Sequence, residues 1–502
     1  MSLELARLGA TLGGVGLAVL LVATNRFVRL GGLAALTAGE LALAGYVAPS
    51  GSEKLLVAGV VAGIPVALVG GYLLHRWPWA LPFAALLCVP ARIPVEVDGT
   101  EANLLLPLYA VIAAAGVVLA WELVRGEGGA RELGPVTWPL AALAALSGVS
   151  LWWSDDAAQG AISLVFFLLP FGVLAVCIAR LPWRSEPLVW LLGLLGAMAV
   201  LFAAIGVFQW VTRDVFWNPK VIVGNAYAPF YRVNSVFWDP SIYGRFLVIA
   251  ILASLVLALA VTTRRVALGA AALIAVVWVG LLFSFSQSSF AALMAGTFAA
   301  AAFVWRWRAA AAVALAGVVL LSAGMAAPSV RHSIFDASEK GLNRASSGRF
   351  GLVTDGAKIA LDNPAAGVGV GGFKRAYADR TGLRGEEPQK AASHNTPVTV
   401  AAELGFVGLA LLVWLVAAAL LALFRRAGGG FEGRAALVFA LALGAIAVHS
   451  LFYNAFFEDA TTWGLIALGA LAARTLALRK QAAHSYQGLR RRRVSVRPRW
   501  KT

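Results

Sequence analysis

Charge is scarce in this chain of 502 residues: Asp, Glu, Lys and Arg together make up 13%. A soluble domain draws roughly a quarter of its residues from these four types to cover its surface, so a soluble globular fold is excluded. Cysteine is nearly absent. Cys88 and Cys177 both stand in apolar stretches, which implies neither a disulfide framework nor a zinc site. No Asp-x-Asp motif occurs in the polar turns. The one glycine-rich run lacks a GK[ST] ending and a strand–glycine–helix frame, so it is read as a close-packed or flexible turn and not as a nucleotide loop.

What the chain has instead is apolar sequence. Sixty per cent of residues are hydrophobic and the mean hydropathy is +0.80. Apolar runs of bilayer-crossing length recur from Leu8 to Leu478. They predict an all-α integral membrane protein with about 14 transmembrane helices, 12 to 15 being compatible with the pattern. Ser289–Trp305 and Ala309–Ala327 read as two separate spans joined at Arg306 and Arg308. Trp79–Ala91 is short and proline-rich, and reads as a short, broken or re-entrant helix. The first apolar segment follows Met1–Arg7 and is taken as a span, because no small-residue cleavage site leads into a soluble domain. Three regions follow: N-terminal helices over 1–210, a core over 211–478 that includes a polar loop at 328–395, and a basic tail over 479–502.

Positive charge orders these segments. Arg26/Arg29, Arg125/Arg131, Arg180/Arg184, Arg264/Arg265, Arg306/Arg308 and Arg425/Arg426/Arg434 fall in alternate turns, and Arg490 to Arg493 lie in a tail without acids. The positive-inside rule puts all of them, and the C-terminus, in the cytoplasm. The tail reads as a topology anchor touching anionic lipid, with no nucleic-acid partner. The remaining turns, including Asp155/Asp156, 213–239, Ser286–Ser288, the long loop and Glu458/Asp459, are then external. Alternation closes if Trp79–Ala91 counts as a crossing.

The external turns hold the residues suited to chemistry. Asp239-Pro240 is a helix start, with Asp at the cap and Pro at the first helical position. The cap does not account for Arg232, which can snorkel, pair with an acid or grip a phosphate with its planar fork, and Arg245 one turn inside the helix is costly in lipid unless it faces a polar cavity. Ser286-Gln287-Ser288-Ser289 can line a helix mouth or cap helix ends. Ser347 can cap a surface helix whose apolar residues are Phe350, Val353, Ala357, Ala360 and Leu361, with Arg349 in its first turn and Asp362-Asn363-Pro364 ending it. His394, before Asn395-Thr396-Pro397, stands near Lys374 and Arg375 in the sequence and titrates in the range useful for proton transfer. Glu458 and Asp459 either pair with an external Arg or bind a sugar.

Taken in order, these elements resemble the O-antigen ligase and polymerase superfamily of bacterial envelope glycosyltransferases. The resemblance rests on Arg-x-x-Ser-x-Phe-x-Asp-Pro-x-x-x-Gly from Arg232 to Gly244 and on Ser347-Gly348-Arg349. Asn363-Pro364 with Gly367-Val368-Gly369, and His394-Asn395 followed by Glu403-Leu404-Gly405-Phe406-Val407-Gly408, complete it. Family members often carry Arg after the serine of the Ser286 turn, where this chain has Gln287. The resemblance implies a GT-C-like architecture whose long external loop carries short amphipathic helices, placed in the bacterial cytoplasmic membrane. It implies a metal-independent, inverting transfer with no cofactor. The donor would be a glycan on a polyprenyl diphosphate, and the acceptor a glycan on a second lipid, with membrane lipids and a chain-length regulator as further partners. His394, Arg232 and Arg349 would be the catalytic set. Arg245, Gln287, Lys374, Arg375, Glu458 and Asp459 would contact diphosphate or glycan. Ligation to lipid A-core is the alternative acceptor chemistry, and a polysaccharide or lipid flippase is the alternative class. An enzyme should gather its site in one external cavity, whereas a transporter should continue polar residues to the other side.

Overall fold

A computed structural model describes residues 2–49, 53–97, 100–127, 129–227, 230–261, 263–325, 349–382 and 393–495. Within them, thirteen helices are long and apolar enough to cross a membrane. The chain is a multi-pass helical membrane protein. In order, α1 is Leu3–Val22, α2 Arg26–Val47, α3 Glu53–Arg76 and α4 Ala80–Cys88. An antiparallel hairpin pairs Ile93–Val97 with Thr100–Leu104. Then come α5 Leu106–Arg125, α6 Thr137–Ser150, α7 Ala157–Ser163, a π-turn at Leu164–Leu168, α8 Leu169–Ala179 and α9 Ser185–Thr212. The second half has α10 Pro219–Tyr227, α11 Pro240–Ala260, α12 Arg264–Ser284, α13 Gln287–Met325, α14 Arg349–Asp362, α15 Phe373–Thr381, α16 Thr396–Phe424, α17 Gly430–His449 and α18 Ala460–Ser495.

Two expectations change, and two features are added. The two spans foreseen on either side of Arg306 and Arg308 form one unbroken helix, α13. No Gly or Pro falls between Gly296 and Gly317, and Ala, Trp and Arg do not end a helix. The hairpin is a small β element in a fold that is otherwise helical among the described residues. The basic tail begins as a continuation of α18 as far as Ser495. In α14 the buried face is Leu352, Gly356, Ile359 and Ala360, whereas Phe350 and Leu361 are exposed. Ile359 and Ala360 pack with Val368, Phe373, Ala401 and Ala402, so α14 rides on α16. Ser347, its foreseen cap, lies outside the described residues.

Hydrogen bonds sort the turns into two ends. At one end, Arg29 bridges Glu132 at 2.9 Å and Arg180 bridges Glu122 at 2.7 Å and Glu132 at 2.6 Å. Arg131 donates to the carbonyl of Val22, and Arg474 to that of Ala179. At the other end, Asp155 donates its N–H to Val368, Thr396 to Ser450 and Val233 to Phe283. For these turns the grouping is the one that alternation of arginine turns predicts, while the unbroken α13 does not supply the return crossing expected at Ala309–Ala327. The short segment before the hairpin joins the two ends. Trp79 Nε1 donates to Pro182 at the arginine end, and Arg92 Nη2 donates to the carbonyl of Glu458 at the other. The nine-residue α4, closed off by Pro90, is thus the helical part of a crossing completed by non-helical backbone.

One kink organises the polar end. Gly405 in α16 has φ +67°, a conformation that only glycine adopts freely. The N–H of Phe406 turns away from the carbonyl of Ala402 and donates to Pro364 instead. The released carbonyls of Ala402 and Glu403 accept from Val368 and Gly369. The glycine run is therefore a tightly packed wedge. Its other edge meets the turn after α6: Val370 N donates to Ser150 Oγ, and Ser154 Oγ donates to the Val370 carbonyl. A Cβ on residue 405 would lie 2.5 Å from the Ala365 carbonyl oxygen. Gly405→Ala is expected to cost about 1–3 kcal/mol, read as a lowered unfolding midpoint in detergent. An alanine at the exposed, unstrained Gly428 should leave the midpoint unchanged.

Candidate functional site

The wedge, the π-turn and the turn after α17 line a cavity of about 360 Å³. Leu164, Phe167 and Leu168 form its apolar floor. Beneath them every residue of α8 is buried, and Phe171 packs edge-on to Trp463 at 6.4 Å. Among the described residues this layer separates the cavity from the Arg29–Glu132–Arg180 cluster.

Each cavity side chain is held by its own local structure. His394 sits at φ +51°, one residue before the helix cap. Asn395 Oδ1 accepts from Val398 N, and Asn395 Nδ2 donates to the Leu451 carbonyl. Its Cα–Cβ direction is thus fixed by capping, and its ring lies 6.4 Å from that of Tyr453. Lys374 projects from the first turn of α15 and contacts Gln159 Oε1 at 3.5 Å. Glu403 stands about two turns after the cap of α16, on the cavity wall, and accepts from Phe373 N at 3.4 Å. Asp239 caps α11 through Ser241 N at 2.6 Å, as its sequence position foretold, and also lines the cavity. Arg92 and Glu458 close the rim.

Of the nine residues singled out in the sequence, the structure brings three into this cavity: His394, Lys374 and Glu458. Arg245 is buried and pairs with Asp459 at 2.5 Å under the ring of Tyr453. The acid answers the cost of the cation, so Asp459 pairs with an Arg and is turned away from the cavity lining. Arg232 donates Nε to the carbonyl of Ser284, in the neighbouring turn. Gln287 and Arg375 are exposed and point away. Arg349 begins α14, and its side chain lies outside the described residues. Beside Gln287, the buried Ser286, Ser288 and Ser289 form a hydroxyl network, in which Ser288 meets His449 Nε2 at 3.0 Å.

Sequence reasoning missed Arg92, Glu403 as a wall residue, Tyr453 and Gln159. Glu403 had a signal, since it stands about two turns into the helix that Asn395 caps. Arg92 had none, because only the non-helical end of the α4 crossing carries it to Glu458.

Residues 270–413 match the O-antigen ligase family model. A search of curated proteins finds no match. The molecule is a polytopic membrane protein with a polar-lined cavity at the end opposite its arginine cluster. Over the matched segment the chain is similar to the O-antigen ligase family. That segment holds the Ser286 turn, the glycine wedge, Lys374, His394, Glu403 and Gly405. The Arg232–Gly244 run lies before it.

Burial raises the Glu458 carboxyl above its ordinary range, against the pull of Arg92, Lys374 and Arg245. The folded state therefore holds the Glu458 proton more tightly than the unfolded chain does. This group's contribution to stability falls as pH rises from the ordinary glutamate range to its raised value, and is constant above it. Glu458→Gln should remove that part of the slope and be the more stable protein at neutral pH, as read by thermal midpoints across a pH series.

Proposed function

We propose that this chain transfers or polymerises oligosaccharide repeat units carried on a polyprenyl diphosphate, at the external face of the bacterial cytoplasmic membrane. One observation carries the reading: a histidine inside the O-antigen ligase segment opens onto a polar cavity that ends at an apolar floor within one half of the fold. The floor argues against a flippase, which needs polar groups from one side to the other.

The chemistry is an inverting displacement. A sugar hydroxyl of the acceptor attacks the anomeric carbon of the donor. The bond from that carbon to the diphosphate oxygen breaks, and the electron pair leaves with the lipid diphosphate. His394 takes the hydroxyl proton as general base. Glu403 and Asp239 accept hydrogen bonds from glycan hydroxyls and orient the acceptor. Lys374 meets the charge that develops on the leaving diphosphate, with Arg349 as a second cation at the head of α14. Arg232 holds the Ser284 turn through its backbone contact, so its contribution is to position the neighbouring wall.

Purified protein in nanodiscs, given polyprenyl-diphosphate-linked repeat units, should lengthen them, as followed by gel and mass spectrometry. His394→Ala should slow transfer by roughly 10²–10⁴-fold with its folding midpoint preserved. Lys374→Ala should lower kcat more than it raises KM, since it acts where charge develops. Transfer only to a separate lipid A-core acceptor would make the protein a ligase. Movement of the lipid across the bilayer without transfer would sink the enzyme reading.

A further inference from the structure

An apolar crevice ends close along the chain to the residues of the cavity rim. Pro82, Ala85 and Val89 of α4 form one wall, Leu188 and Leu192 of α9 another, and Gly464 and Leu468 of α18 the third. Its upper end, at Val89 and Ala460, lies within three residues of Arg92 and two of Glu458, which close the cavity. The crevice exists because α4 is only nine residues long and Gly464 offers no side chain; a Cβ there would meet nothing within 4 Å.

Arg92 marks the junction. One guanidinium nitrogen, Nη2, binds the Glu458 carbonyl, while Nε is buried with no hydrogen-bond partner. Among the described residues no ion pair neutralises this side chain. A buried donor without an acceptor costs free energy, and a planar cation at the edge of an apolar channel suits a phosphate. The channel is narrow, about 90 Å³, which suits one extended chain and not the two acyl chains of a phospholipid.

From this juxtaposition we infer that Arg92 and the α4–α9–α18 crevice form the lipid-end subsite: the guanidinium grips the diphosphate of a single-chain isoprenoid diphosphate and the crevice takes its first isoprene units. The inference rests on the proposed donor class, and its test is separable from it. Full-length protein in nanodiscs is photocrosslinked to undecaprenyl diphosphate carrying a diazirine near its diphosphate end, and labelled peptides are mapped by mass spectrometry. Label is expected on Ala80–Cys88 and on the α18 segment from Ala460 to Leu468. It should fall at least ~tenfold in Arg92→Ala, the loss of one charge-assisted contact, and comparably in Gly464→Leu, which fills the crevice from another helix and has room to fold. Unlabelled undecaprenyl diphosphate should displace the probe, and phosphatidylglycerol at the same concentration should not. Label on other helices, unchanged labelling in both variants, or equal displacement by phosphatidylglycerol would overturn the inference. If labelling maps as expected while wild-type protein transfers no glycan, the subsite stands and the transferase reading falls. If transfer proceeds with label elsewhere, only the subsite falls.

Discussion

The exchange of backbone partners at Gly405 is the constraint on which the polar end depends. Irregular backbone at membrane depth must satisfy its own N–H and C=O groups, because no water is there to do so. The kink supplies the missing partners. It releases the carbonyls of Ala402 and Glu403 to the glycine wedge and sends Phe406 N–H to Pro364. The wedge binds in turn to Ser150 and Ser154, so the N-terminal helices and the family segment are joined through one hydrogen-bonded seam. Lys374 follows the wedge and Glu403 precedes the kink, which puts both on the same cavity as His394.

The rest of the molecule separates two kinds of charge. At the arginine end, Arg29 and Arg180 are neutralised by Glu122 and Glu132 in a compact cluster, whose pairing holds the α1–α2, α5–α6 and α8–α9 turns together. At the cavity end, Arg245 is neutralised by Asp459, while Arg92, Lys374, His394, Glu403 and Glu458 line the cavity. An apolar layer through α8 and Trp463 lies between. A one-ended polar cavity fits chemistry performed from one face of the membrane, with an amphipathic donor entering where apolar crevice and cation meet.

Much of this was legible before the structure. Composition and run length gave the helical membrane class, and alternate arginine turns gave the two ends, because desolvation of charge in lipid is a strong and local penalty. The caps Asp239-Pro240 and Asn395-Thr396-Pro397 were readable because capping is set by adjacent residues. His394 was found through its neighbours in sequence. The failures are long-range. Whether Arg245 is free or paired depends on Asp459, more than two hundred residues on. Arg92 reaches the cavity only through the α4 crossing, and the glycine wedge acquires its role only from carbonyls that a kink in another helix releases. Gln287 looked like a cavity residue because its serine neighbours are, but adjacent positions at a helix start face different ways.

The central claim is that the one-ended cavity holds the reacting sugar. The most direct measurement is a structure of the protein with a nonhydrolysable phosphonate analogue of a polyprenyl-diphosphate oligosaccharide. The account predicts the anomeric carbon beside His394, with the diphosphonate between Lys374 and Arg92. Glycan density passing the α8 layer toward Arg29 and Arg180, or a ligand bound away from His394, would contradict it.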